Sequence, residues 1–259
     1  MIYFLAPVYN EQANIEILFD RLTETMKNRS DEFKIIIVND GSTDKTEEIV
    51  KKHQQSKPIE IISHEINKGV SEGFNTGFSY ILNIANDSDI IITLEGDNTS
   101  DLAILDEMIT NIKTGSDISL ASCYAKKGKV EGITLDRKIC SLGANILLQL
   151  CFPIKNVYTY SSFYRAYNVG SLKKAYQAYE NKVIEMTGFV CMAEMLIKLW
   201  HIGFKITEVP MTLRCDLRKD ASKMKVIKNI LGYLLLIKKE FIFKDRIFYR
   251  KVYDKFKEL

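Results

Sequence analysis

A chain of 259 residues, 46% hydrophobic and 27% charged with 13 Gly and 4 Pro, has globular composition, which excludes a disordered tail, a collagen and a disulfide mini-protein. Five scattered cysteines, Cys123, Cys140, Cys151, Cys191 and Cys215, include no C-x-x-C pair, so a zinc or dithiol site is not indicated and a reducing cytoplasm fits best. The net charge of +3 is sorted along the chain: Lys223 to Leu259 holds 11 Lys and Arg against 4 Asp and Glu, a surplus of +7, leaving −4 on the rest. That basic tail carries no recognition motif, which argues against a nucleic-acid partner.

The N-terminal MIYFLAPVYNE has no basic region and too short an apolar run for a signal peptide. Ile2 to Ala6 reads as a strand, and Ile15, Leu18, Phe19, Leu22 and Met26 recur at helical spacing. Phe33 to Val38 is a continuous apolar run, the pattern of a strand buried on both faces. A helix starts near Lys45, with Asp44 and Glu47 spaced as a capping box. Strands at Ile59 to Ser63, Asp89 to Leu94 and Ile118 to Ala121 alternate with helices at Val70 to Ala85 and Leu102 to Ile112. Such alternation predicts a doubly wound, mostly parallel α/β sheet. Further helices are expected at Leu135 to Phe152, Ser171 to Tyr179 and Val190 to His201.

The longest charge-free stretch, between Lys138 and Lys155, is interrupted by Asn145 and Gln149 and falls short of the ~20 apolar residues of a membrane span. No spanning helix is expected. Residues 1–222 are read as one domain and 223–259 as basic amphipathic helices, in which Ile227, Ile230, Leu231, Leu234 and Leu235 share a face. That face, and the apolar helix from Ile139 to Ile154, suit either a lipid headgroup layer or packing against the core or a second subunit.

In a doubly wound sheet ligands bind beyond the carboxyl ends of the strands. The loops there read APVYNE, VNDGSTD, HEINKG and LEGDNTSD. Glu95 and Asp97 leave one strand end together, and hard divalent cations bind such pairs along with substrate phosphates. An ordinary acidic turn has the same composition. Asp40 ends another buried strand and can accept hydrogen bonds from a base or ribose, or serve only in a turn and helix cap. Neither a G-x-G-x-x-G nor a G-x-x-x-x-G-K-[ST] motif is present, so dinucleotide and P-loop readings have no specific support. His53, His64 and His201 lack triad or zincin spacing and read as solvated or structural.

Taken in order, PVYNE (Pro7 to Glu11), VNDGSTDKT (Val38 to Thr46), NKGVSEGFNTGF (Asn67 to Phe78), LEGDNTSD (Leu94 to Asp101), SSFYRAY (Ser161 to Tyr167) and EVPMTLRCDLRKDASKM (Glu208 to Met224) resemble the family 2 glycosyltransferases. The nearest branch is that of the polyprenyl-phosphate (dolichyl-phosphate) sugar synthases. The resemblance implies a GT-A fold, a UDP- or GDP-hexose donor, Mg²⁺ or Mn²⁺, and inversion at the anomeric carbon. It places Pro7, Tyr9, Glu11, Asp40, Ser42, Lys68 and Asp97 around the nucleotide sugar and Glu95 and Asp97 on the metal. It sets Arg165, Arg218, Ser222 and Lys223 on the diphosphate or acceptor, with Asp97, Arg218 and Lys223 as the catalytic set.

The implied acceptor is a lipid phosphate, reached from the cytoplasmic face of a membrane by a peripheral enzyme, with a homo-oligomer as a further expectation. Three positions depart from the branch: Glu95 replaces an Asp, Cys123 an Arg, and Thr159 an Asp. Two alternatives therefore stay open, transfer to a hydroxyl of a surface glycan or glycolipid, and a degenerate paralogue that binds a nucleotide sugar without turnover.

Overall fold

The computed structural model describes residues 1–219, 226–243 and 246–259. Strands β1 (Ile2–Val8), β2 (Phe33–Asn39), β3 (Ile59–Ser63), β4 (Ile90–Thr93), β5 (Ile118–Ser122), β7 (Arg165–Asn168) and β8 (Ile206–Pro210) form one sheet in the order β3-β2-β1-β4-β7-β5-β8. β6 (Lys129–Glu131) and β9 (Thr212–Arg214) form a small parallel pair beside it. Helices α1 (Ile15–Met26), α2 (Thr46–Gln54), α3 (Val70–Ile84), α4 (Leu105–Lys113), α5 (Leu135–Cys151), α6 (Val169–Ala178) and α7 (Cys191–His201) connect and cover the strands, and α8 (Val226–Ile237) and α9 (Arg246–Glu258) follow.

The apolar runs explain the layers. Along β1, Ile2, Phe4, Ala6 and Val8 pack with Leu18, Phe19 and Leu22 of α1 and with Met108 and Ile109 of α4. Tyr3 and Leu5 point to the other face, against Phe74, Phe78 and Ile81 of α3. Each such side chain withdrawn from water contributes about 1.5–3 kcal/mol, so both faces are held by the period-2 alternation of one strand. β1 lies parallel between β2 and β4, with Leu5 opposite Ile36 and Thr93. The chain winds from β1 outward through β2 to β3, then returns to β4 on the other side of β1. A crevice opens where that direction reverses, beyond the carboxyl ends of β1 and β4.

Two local expectations need correction. The sheet is mostly parallel, as expected, but β7 runs antiparallel between β4 and β5, so those two strands do not pair. The Asp44–Glu47 capping box is realised on one side: Asp44 accepts from the Thr46 amide at the start of α2, and from the Gln12 amide, while the Glu47 carboxylate is turned to Asn39 and joins α2 to the end of β2.

α8 packs against α5, and α9 against α6. Tyr249 stacks on His201 with ring centroids 3.7 Å apart, and Phe256 meets Phe204 edge-on at 5.6 Å. Glu194 and Lys198, an i,i+4 pair by sequence, are fully buried and 3.0 Å apart. Lys239 joins them, 2.8 Å from Glu194 and 3.1 Å from Glu185. Burial works to raise the Glu185 carboxyl, but Lys198 and Lys239 outweigh it and hold it at about 2. Among the described residues no helix is long and apolar enough to cross a membrane. The boundary drawn at 222/223 lies outside the described residues.

Candidate functional site

The crevice is an open cleft of about 1260 Å³, bordered by Pro7, Tyr9, Glu11 and Asp40 on one side and by Glu95, Asp97 and Arg218 on the other. Its floor is the end of β1 and β4. A Cβ on Gly96 would stand 2.7 Å from Val8 Cγ1, so only glycine lets the Glu95–Asp97 turn lie this close to β1.

On the Asp40 side the loops are bound to one another. The Asn10 amide donates to Ser42 Oγ at 2.9 Å, and the Thr43 amide to Asn10 Oδ1 at 2.8 Å. Asp40 is almost wholly buried and accepts from the amides of Lys68 (2.9 Å) and Gly69 (2.8 Å). His64 bridges it to α3: Nδ1 lies 2.7 Å from Asp40 Oδ1 and Nε2 lies 2.9 Å from Thr76 Oγ1. The structural reading of His64 matches its place. The Lys68 side chain is exposed, and its amide is what reaches Asp40.

On the acidic side, Asp97 Oδ1 accepts from Thr99 Oγ at 2.7 Å. Asp97 Oδ2 accepts from Arg218 Nε at 2.7 Å and also from Nη2. Glu95 accepts from Thr99 Oγ at 3.3 Å. Part of Glu95 faces the cleft, but protein encloses its carboxyl, and burial first and the Asp97 charge second push it up to about 8, against the pull of Arg218. Two crowded carboxylates, one of them paired with Arg218, are a set of hard oxygen donors whose repulsion a divalent cation would relieve. Among the described residues no group of three acidic, His or Cys side chains is placed to hold a metal ion, so a cation at this pair would need further oxygens from elsewhere. As hard oxygen donors the two residues fit Mg²⁺ or Mn²⁺.

Arg165 is not brought to the cleft. It is fully buried, with its guanidinium donating to the carbonyls of Ser162, Met192 and Tyr160 at 2.8 Å each. A buried cation is held this way when backbone oxygens surround it, and here it pins β7 to α7. Cys123 and Thr159 do border the cleft; burial pushes the Cys123 thiol up to about 11, so it is neutral near pH 7. Ser222 and Lys223 lie outside the described residues.

Sequence reasoning passed over four residues. Arg137, in the first turns of α5, lines the cleft. Arg21 donates to the carbonyls of Asn98 (2.6 Å) and Ser100 (2.8 Å) and so fixes the loop after β4. Glu208 accepts from the amides of Tyr158 and Thr159 at 2.8 and 2.9 Å. Asn14 touches three loops at once. Glu208 opens the EVPMTLRCDLRKDASKM motif but the resemblance assigns it no role, and the other three belong to no motif with a distinctive spacing, although Asn14 as helix N-cap is a visible signal.

Apolar rows stand open on α5 and α8, the one on α5 on the helix face turned away from the cleft and the one on α8 beside it. Leu135, Ile139, Leu142, Ile146 and Leu150 form a stripe on α5, 42–77% exposed, and Ile230, Leu231, Leu234 and Leu235 of α8 are 42–58% exposed. Ile230, Leu231 and Leu235 also line the cleft. Packing against the core does not cover these residues. The side chain of Ile227 is outside the described set.

The fold is of the GT-A type. It superposes on glucosyl-3-phosphoglycerate synthase from Mycobacterium tuberculosis, solved with Mn²⁺, uridine diphosphate and phosphoglyceric acid, at a TM-score of 0.64 and 15% identity, over 95% of this chain and 80% of that one. S. aureus TarS 1–349, in complex with UDP, gives 0.59 at 17% identity, over 98% and 70%.

The chain belongs to glycosyl transferase family 2, whose model matches residues 3–176. It is 30% identical over 231 residues to a dolichol-phosphate mannosyltransferase of Pyrococcus furiosus, covering 89% of this chain and 60% of that protein. It is 25% identical over 232 residues to a dolichyl-phosphate β-glucosyltransferase of Trichomonas vaginalis, covering 86% and 67%. The chain thus spans about three fifths to two thirds of the length of these relatives.

Proposed function

We propose that the protein is an inverting hexosyltransferase that moves a sugar from a UDP- or GDP-hexose to a polyprenyl phosphate, working as a peripheral protein at the cytoplasmic face of a membrane. Support comes from its family, from the activities named for two relatives, and above all from one juxtaposition. The carboxylate and arginine cleft opens directly onto the exposed apolar row of α8, whose Ile230, Leu231 and Leu235 line it. A lipid phosphate needs its headgroup among cations and its tail on an apolar surface, and this flank offers both.

Tyr9, Glu11 and Asp40 would border the nucleoside, in a pocket that the hydrogen bonds among the three loops keep in shape before binding. Bound by Glu95, Asp97 and the donor's own phosphate oxygens, a divalent cation would supply charge neutralisation on the leaving diphosphate. Arg218 is paired with Asp97; turned to the diphosphate, its planar fork can pair with phosphate oxygens. Arg137 lines the cleft from α5, where it can hold the acceptor phosphate. That phosphate is already anionic near neutral pH, so its oxygen can attack the anomeric carbon without a protein base. Transfer to a sugar hydroxyl would need one.

The test is incubation with Mn²⁺ or Mg²⁺, a panel of UDP- and GDP-sugars and a short polyprenyl phosphate, followed by mass spectrometry. A lipid-linked hexose that disappears in Asp97→Ala is the expected result. Metal-dependent nucleotide binding without any lipid-linked product would move the reading to a hydroxyl acceptor or a non-catalytic paralogue.

A further inference from the structure

Asn14 occupies the N-cap of α1, the position where an Asn side chain ordinarily accepts from the first turn of its own helix. Here it makes no such cap bond. The residue is nevertheless fully buried, and every polar contact of its side chain goes to a different part of the cleft. Nδ2 donates to Glu11 Oε2 at 2.7 Å. Oδ1 accepts from the Lys219 amide at 3.2 Å, one residue beyond Arg218. Its backbone carbonyl, besides closing the α1 turn to the Leu18 amide at 3.0 Å, accepts from Asn98 Nδ2 at 2.8 Å.

Asn98 itself sits at φ +66 in the turn after Asp97. Arg21, seven residues along α1 and so on the same helix face, grips the carbonyls on either side of that turn. Among the described residues, the start of α1 is therefore the place where the Glu11 loop, the Asp97 loop and the Arg218 loop meet through a single side chain and its backbone.

We infer that Asn14 is a positioning residue that latches the 215–219 segment to the carboxylate loop and so sets where the Arg218 guanidinium stands relative to Asp97. The geometry gives the reason that α1 forgoes its cap. Its side-chain oxygen, the atom a cap would use, is taken by the Lys219 amide and its Nδ2 by Glu11, so the side chain joins two loops of the cleft in place of capping α1. This assignment rests on Asp97 and Arg218 being the working groups of the cleft, but its test needs no turnover.

Cys215, in the short 3₁₀ turn Cys215–Leu217, is half-buried and lines the cleft, while Cys191 is fully buried in the core. Peptide-resolved iodoacetamide labelling of the intact donor-free protein reads both thiols in one sample. In Asn14→Ala, Cys215 labelling is expected to rise about tenfold, the factor that corresponds to about 1.4 kcal/mol, with Cys191 labelling unchanged. An unchanged Cys215 rate, or a parallel rise at both cysteines as in general loosening, overturns the assignment. Should Asn14→Ala not fold, hydrogen exchange at the Lys219 amide of the natural protein carries the test. Protection of about tenfold over the free amide supports the latch, and exchange at the free rate overturns it.

Discussion

Gly41 offers a perturbation whose size can be worked from the structure. It adopts φ +68, and a Cβ there would stand 2.5 Å from the Ile66 carbonyl carbon and 2.6 Å from the Asn67 nitrogen. Both are backbone atoms, so in Gly41→Ala the segment that follows β3 retreats about 0.9 Å to reach the 3.4 Å of ordinary contact. That segment carries the Lys68 and Gly69 amides that donate to Asp40 at 2.9 and 2.8 Å. A retreat of this size takes both bonds past the range of a hydrogen bond.

The left-handed conformation costs alanine about 1–2 kcal/mol, and each lost bond to a carboxylate about 1.5–3 kcal/mol before relaxation. These total about 4–8 kcal/mol before the loop relaxes, and with about 3 kcal/mol of it left at the pocket nucleotide binding weakens by roughly 150-fold. Calorimetric titration with UDP and GDP in the presence of Mn²⁺ measures it. Gly115→Ala is the control, since Gly115 adopts φ +106 but has nothing within 4 Å of an added Cβ. It should lose stability and keep its nucleotide affinity. Unaltered binding in Gly41→Ala, or equal weakening in Gly115→Ala, would refute the reasoning.

Arg218→Met removes the partner of a nearly buried carboxylate, whose side chain is 11% exposed; at about 2–3 kcal/mol the melting temperature without ligands should fall by about 5–10 °C, and scanning calorimetry should show Mn²⁺ with UDP recovering part of it. Because Glu185 is held at about 2 against an ordinary 4.5, its contribution is complete above pH 4.5 and is lost as pH falls toward 2. Lys239→Met should therefore lower the melting temperature at pH 6 and converge on the natural protein across that window. Ile139→Glu with Leu150→Glu, on the exposed stripe of α5, should reduce sedimentation with anionic vesicles at least fivefold while leaving nucleotide affinity unchanged; equal sedimentation would mean that another surface meets the membrane. A second subunit covering the same stripe would show instead as a change of mass in solution on making those substitutions.

The first half of the fold is legible because its strands are continuous apolar runs, as in Ile35 to Val38 and Ile90 to Ile92, and only strands buried on both faces read that way. β7 is not legible for the opposite reason. Its sequence RAYN has one charge and little apolar content, and what holds it is the pairing with β4 and β5 and the carbonyls around Arg165. The resemblance set Arg165 at the diphosphate or acceptor, and its aromatic-rich run fits pairing within the fold as well, since sequence shows a cation but not the three backbone oxygens that enclose it.

The site is legible where one strand end delivers the residue, as for Asp40, Glu95 and Asp97. It is hidden where distant loops meet. Asn14 and Lys219 are 205 positions apart, and no local pattern joins them. The amphipathic character of α5 could be read from the leucine and isoleucine spacing, whereas whether that stripe is covered depends on which neighbours arrive, and α8 takes only part of it.

The most direct test of the account is a paired acceptor experiment with the donor that the protein binds best. A short polyprenyl phosphate and the matching polyprenol, which differ only in the phosphate, are offered separately and then together, and the glycosylated products are resolved by mass. The account predicts a sugar on the lipid phosphate alone, in both formats, and none in Asp97→Ala. Transfer to the polyprenol hydroxyl, or consumption of donor with no sugar reaching the lipid phosphate, would contradict it.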